Sequence, residues 1–268
     1  MCTLALAVGL SPRYPVVVAA NRDELLSRPS AGPRVWTPVS SSTASSAAND
    51  DVPFVAPEDL QAGGTWLGVN RFGLFVGITN RYGAPKHEDR VSRGQLVVDA
   101  LRKYTSCEEL HRALRGLPDD AHNAFHLVYA DVHGGAGLTW SDGERVQQRI
   151  LRPGLHVFSE RSLGAAEDRR SESVRARFPR RLALGREGQG APADLVALLR
   201  HHDEADPLAA TCVHVPSFEY GTRSSAVLML GADAAEDRLY WAEGAPCTAP
   251  FADLSATLRL LVRPALPR

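Results

Sequence analysis

At 268 residues, with 44% hydrophobic and 23% charged side chains, the chain can bury the core of one globular domain of the all-β or layered α/β kind. Its formal net charge of −1 offers no overall field to recruit nucleic acid or an anionic membrane surface, and no stretch approaches the ~20 apolar residues of a membrane span. The four cysteines (Cys2, Cys107, Cys212, Cys247) form no C-x-x-C pair and have no histidine at metal-ligand spacing, so no disulfide scaffold or zinc site is expected, and a reducing, cytoplasmic setting is.

Residues 2–8 alternate large and small side chains with period 2, as a strand does, and Tyr14 to Ala20 reads as a second, valine-rich strand. No Lys or Arg precedes Arg13, and Pro12 to Pro15 cuts the apolar run, so a hairpin is expected rather than a secretion signal. Paired positions in a hairpin sum to a constant. A turn near Ser11 or Pro12 therefore sets Cys2 opposite Asn21 or Arg22. The low-complexity stretch 38–51 predicts a mobile loop, extending over about 38–57. Gly63 to Arg81 reads as another hairpin, turning at Asn70 to Gly73, which returns Asn80-Arg81 beside Gly63-Gly64. Capping boxes at Ser92/Gln95 and Ser106/Glu109 open helices through about Lys103 and Arg115.

From Ala124 to Phe158 the pattern returns to strands, with turns at Gly134-Gly135 and Asp142-Gly143. Arg161 to Phe178 and Pro192 to His202 read as helices. The arginines between 169 and 181 alternate with acids, as on a solvated helix face. Ser224 to Leu230 and Arg238 to Glu243 are strands again. His201-His202 reads as a helix cap, and His214 beside Cys212 as a structural histidine. This order predicts a single α+β domain over 1–268, either a four-layer αββα sandwich of two antiparallel sheets or a simpler α+β arrangement.

Chemistry points first to Cys2. Initiator methionine is normally removed before a small residue, which would leave Cys2 with a thiol and a free α-amine of similar, near-neutral pKa. Such an amine can act as general base for its own side chain. The tetrad Asn21-Arg22-Asp23-Glu24 ends the second strand. In strand geometry Asn21 and Asp23 face one side, Arg22 and Glu24 the other, one side orienting the amine and thiol and the other forming an ion pair. A solvated strand end and a merely buried Cys2 are the bland alternatives.

Met1-Cys2-Thr3-Leu4, the Asn21–Glu24 tetrad, Ala62 to Gly68, Ile78-Thr79-Asn80-Arg81, Ser92-Arg93-Gly94 and Tyr220-Gly221-Thr222-Arg223 together resemble the NRDE-motif family, that of the transport-and-Golgi-organisation proteins. That family is similar to cysteine N-terminal-nucleophile hydrolases, the penicillin V acylases, bile salt hydrolases and acid ceramidases, which cleave linear amides. The resemblance implies an αββα fold with Cys2 as nucleophile, Asp23 holding the α-amine, Arg22 tuning the thiolate, Asn80 donating to an oxyanion and Arg223 as a distal arginine. Asn21, Glu24, Gly64 and Glu160 are supporting candidates. Two departures stand out. Arg22 and Asp23 are adjacent here and three apart in the acylases, so only one can share a face with Cys2. Glu160 occupies the place of an amide, and a carboxylate donates a hydrogen bond only when protonated.

The expectation is thus a cofactor-free, metal-free Cys2 hydrolase or acyltransferase acting on a small amide or thioester. The resemblance also implies alternatives: a haem- or acyl-lipid-binding trafficking protein, or a scaffold with decayed machinery. The substrate is a small molecule rather than a nucleic acid, and the sequence carries no signal of oligomeric state.

Overall fold

The computed structural model describes residues 2–37, 52–179 and 191–264. Two antiparallel sheets pack face to face, each covered by helices on its outer side, so the αββα layering is the architecture of the chain. With strands numbered in chain order, the first sheet holds β1 (Cys2–Val8), β2 (Val16–Leu25), β10 (Gly154–Phe158), β11 (His214–Val215), β12 (Tyr220–Leu230), β13 (Arg238–Glu243) and β14 (Ala252–Asp253). Its order is β10-β1-β2-β12-β13-β14, with β11 paired to β12. The second sheet runs consecutively through β3 (Ser30–Trp36), β4 (Phe54–Asp59), β5 (Leu67–Asn70), β6 (Leu74–Asn80), β7 (Phe125–Asp131), β8 (Ala136–Ser141) and β9 (Val146–Ile150).

The alternation in β1 explains which side Cys2 takes. Leu4, Leu6 and Val8 join Val16, Val18 and Ala20 in the core between the sheets, whereas Ala5 and Ala7 lie under the helices with Val17 and Ala19. A one-residue slip would reverse every side chain and drive the leucines into the close-packed helical layer. Each buried leucine stabilises by about 1.5–3 kcal/mol, so the large/small pattern pins the register and leaves Cys2 on the inter-sheet side.

Helices α1 (Arg93–Lys103) and α2 (Cys107–Ala113) cover the second sheet, and α3 (Arg169–Arg177) and α4 (Ala193–Leu199) the first; α5 (Ser255–Arg259) follows β14. Ser92 and Ser106 cap α1 and α2, accepting from the amides of Gly94 and Glu109. None of the described helices is long and apolar enough to cross a membrane.

Several boundaries differ from the sequence expectation. β2 runs on to Leu25, so the tetrad lies within a strand, and Asn21, Arg22 and Asp23 are buried rather than solvated. β3 and β4 have no counterpart in the sequence reading. Pro33 sits in β3, an edge strand, at a register irregularity between Ala31 and Arg34, where a missing N–H costs no ladder bond. β4 begins at Phe54, so the 38–57 loop is shorter than expected, and residues 38–51 lie outside the described residues. Residues 161–168 are turns, leaving α3 to start at Arg169. Its arginines are not uniformly solvated: Arg170 is only 3% exposed. Arg180 and Arg181 lie outside the described residues.

Candidate active site

Cys2 pairs directly across the ladder with Arg22, so both side chains leave the same face of the sheet. The leucine-filled core stops one pair earlier, at Leu4 and Ala20, and a cleft of about 360 Å³ opens beyond it between the sheets. Cys2, Arg22, Trp66, Asn80 and Arg93 line it, as does Gly64.

Arg22 is 4% exposed, and its charge is held from two directions. Its Nη2 donates to Asp59 Oδ2 at 2.9 Å, and its guanidinium lies over the Trp66 ring at 4.4 Å from the centroid. Arg28 Nε donates to the same carboxylate oxygen at 2.9 Å, and Glu24 stands 3.4 Å from Arg28 and 4.0 Å from Arg22. The other Asp59 oxygen accepts from the amides of Gln61 and Ala62, so one carboxylate fixes both arginines and the turn leading to Gly63-Gly64. Arg22 Nη1 is buried without a hydrogen-bond partner among the described residues, a donor directed at no protein acceptor.

Gly64 is there for lack of space. A Cβ on it would meet the Gly94 carbonyl carbon at 2.5 Å, and Thr65 N donates to Gly94 O at 3.4 Å. This backbone contact seats the first turn of α1 against the cleft wall and brings Arg93 towards the thiol. Burial lowers the Arg93 pKa and the neighbouring Cys2 sulfur opposes that shift. Burial, reinforced by the Asp23 carboxylate, pushes the Cys2 thiol up, while the Arg22 guanidinium and the Asp23 backbone amide pull it back. Partly buried Cys2 is therefore a mainly neutral thiol beside two cations, and needs a base to react.

The tetrad's other face points away from this cation pair. Asn21 Nδ2 donates to the carbonyls of Leu199 and Thr211 at 2.9 and 2.8 Å, tethering α4 and the loop after it. Asp23, 1% exposed, accepts from Arg170 Nη1 at 2.9 Å and from Thr222 Oγ1 at 2.7 Å. Arg170 also stands 3.7 Å from Glu160, whose Oε2 has no hydrogen-bond partner among the described residues. Burial alone would lower the Arg170 pKa, but Asp23 and Glu160 outweigh it and hold it above its ordinary value. Arg223 is the extra residue of a bulge in β12, between Thr222, which pairs Asp23, and Ser224, which pairs Arg22.

The fold thus gathers Cys2, Arg22, Glu24, Gly64 and Asn80 around one cleft, with Asp23 at its edge. Asn21, Glu160 and Arg223 are not among the lining residues. Asp59, Trp66, Arg93 and Arg170 belong to the site and its support, yet the sequence reading gave them no role. Trp66 and Arg93 stood inside the quoted motif runs; Asp59 carried no signal at all. Among the described residues, the one convergence of metal-ligating side chains lies outside this cleft, around Cys212.

A family model described as Transport and Golgi organisation 2 matches residues 1–240. The chain belongs to that family. Relatives in the family include the Bos taurus Transport and Golgi organization protein 2 homolog, 29% identical over 247 residues, spanning 82% of this chain and 83% of the bovine one. The Homo sapiens homolog is 26% identical over 255 residues with the same coverage of each chain, 82% and 83%. Among solved structures, a conjugated bile acid hydrolase from Clostridium perfringens (mutant C2A) superposes with a TM-score of 0.52 at 14% identity, covering 96% of this chain and 93% of its own. Penicillin V acylase from Agrobacterium tumefaciens gives 0.53 at 15%, covering 95% and 86%. At such identities the likeness establishes the fold alone, which is that of the N-terminal-nucleophile hydrolases.

Proposed function

We propose that this family member is a cysteine N-terminal-nucleophile hydrolase or acyltransferase acting on a small, polar amide or thioester. The observation that carries the reading is the pairing of Cys2 with Arg22 at the floor of a charged cleft. Loss of Met1 would give Cys2 an α-amine within its own residue. That amine takes the thiol proton as sulfur attacks the carbonyl carbon, forming a C–S bond and an oxyanion. Asn80 at the rim and Arg93 on α1 are the donors for that oxyanion. The proton then passes to the leaving nitrogen or sulfur as its bond to carbon breaks, and water or another acceptor releases the acyl group from Cys2.

Arginines at 22, 28 and 93 favour a substrate carrying a carboxylate or other anionic group, and speak for this reading over an apolar haem or lipid pocket. Asp23 supports the site from behind, through its backbone amide and its buried pair with Arg170.

The test is intact-mass analysis of the purified chain followed by labelling with a thiol-directed acyl electrophile, comparing wild type with Cys2→Ala. The expected result is a chain lacking Met1 and a single fast modification on Cys2 that the variant abolishes. Retained methionine on most molecules, or equal labelling of the two proteins, would overturn the proposal.

A further inference from the structure

Outside the cleft, four side chains from three separate segments converge behind β12. His202 lies in the loop after α4, Cys212 and His214 flank the start of β11, and Cys247 sits in the turn after β13. Their ligand atoms all lie within 4.8 Å of one another. His214 Nε2 is 3.5 Å from Cys212 Sγ and 3.3 Å from Cys247 Sγ, and the His202 and His214 rings are 5.2 Å apart. Hydrogen bonding between thiols and imidazoles accounts for pairs, but not for four soft donors around one point.

Tetrahedral zinc sets metal–sulfur bonds at about 2.3 Å and metal–nitrogen bonds at about 2.0–2.1 Å, which places neighbouring sulfur and nitrogen donors about 3.6 Å apart. The two separations above match that spacing. We propose that His202, Cys212, His214 and Cys247 form a structural Cys2His2 zinc site. Binding converts both thiols to thiolates, releases their two protons to solvent, and leaves the site electrically neutral. All four positions come from the protein, so the site is closed and has no place for a substrate.

The location gives the ion a purpose. Residues 200–213 contain no helix or strand, yet supply hydrogen bonds to the layer behind Cys2. The Leu208 carbonyl accepts from Arg170, the Thr211 carbonyl accepts from Asn21, and the Val213 amide donates to Thr222 Oγ1, which itself donates to Asp23. Arg200 Nε donates to the Pro246 carbonyl at 2.7 Å, which ties this loop to the Cys247 turn beside the cluster. A bound ion would fasten the loop to β11 and to that turn, and through Thr222 and Arg170 would hold Asp23 in place.

The experiment measures metal by mass spectrometry on protein purified without a histidine tag and under reducing conditions, then titrates reduced apo-protein with cobalt(II). One zinc per chain, and a thiolate-to-cobalt charge-transfer band with tetrahedral d–d intensity, are expected. Both should be lost in Cys212→Ser/Cys247→Ser, weakened in the milder His202→Ala, and kept in Cys2→Ala and Cys107→Ser. Chelation should lower the Tm of wild type but not of the double variant. Wild type binding no more zinc or cobalt than the double variant overturns the proposal, as does a Cys212–Cys247 disulfide that, once reduced, still takes up no metal.

Discussion

Replacing Arg22 by Met isolates the electrostatic part of the cleft. Methionine keeps much of the buried stem's volume over Trp66 while removing the charge and its hydrogen bond to Asp59, which retains Arg28 as a partner. Cross-strand partners hold their Cβ atoms about 5 Å apart. The guanidinium reaches beyond its Cβ towards Asp59, so the charges stand further apart, and two unit charges about 8 Å apart interact by about 2 kcal/mol at an effective dielectric of about 20. With about 1.4 kcal/mol per pKa unit, the full effect is about one and a half units, reduced to about one by solvent at the cleft mouth. A guanidinium stabilises the thiolate, so its loss must raise the Cys2 pKa. Labelling of Cys2 near neutral pH should therefore slow about 10-fold, with the pH midpoint displaced upward. The assay is the pH profile of alkylation at the Cys2 peptide, with buried Cys107 as an internal reference. An unchanged midpoint in a folded variant would refute the claim that Arg22 acts on the thiol.

Asn80→Ala, at an exposed strand end, should leave the Tm unchanged and lower acyl transfer from a thioester probe by about 10²–10³-fold if Asn80 donates to the oxyanion. Asp23→Ala leaves the buried Arg170 charge only the more distant Glu160 as counter-ion, and urea denaturation should record a loss of about 3–5 kcal/mol. Gly64→Ala forces backbone apart at Gly94, costing about 1–3 kcal/mol and slowing Cys2 labelling in the same protein. His126 is fully buried, and burial, reinforced by Arg81, lowers its pKa from 6.5 to about 4. A base depressed on folding stabilises above its unfolded pKa and loses that contribution as pH falls. Stability should therefore decline by up to about 3 kcal/mol between pH 6.5 and 4, measured by urea midpoints, with a shallower decline in His126→Gln.

Much of the site's first half was legible from local order. A hairpin's register is arithmetic on residue numbers, so the expectation that Cys2 faces residue 21 or 22 needed only the turn position, and the observed partner is Arg22. Strand parity alone separates Arg22 and Glu24 from Asn21 and Asp23. The helix starts at Ser92 and Ser106 were equally local, because a cap is decided within four residues. β3 escaped notice because its Gly32 and Pro33 belong to an edge strand, where propensity is a poor guide. The arginine run at 169–181 was misjudged at Arg170, since spacing along one helix says nothing about the carboxylate waiting beneath it.

The sequence alone determined the strand periodicity, the split of the tetrad between two strand faces, and the family to which its motifs are similar. Tertiary structure alone decided that Asp59 clasps Arg22 and Arg28, that α3 supplies the counter-charge for Asp23, and that two histidines and two cysteines from three segments meet behind β12. The reason is range. Periodicity and capping act over a few residues and are written in their order, whereas charge pairing and ligand convergence depend on which distant segments the closed sheets bring together.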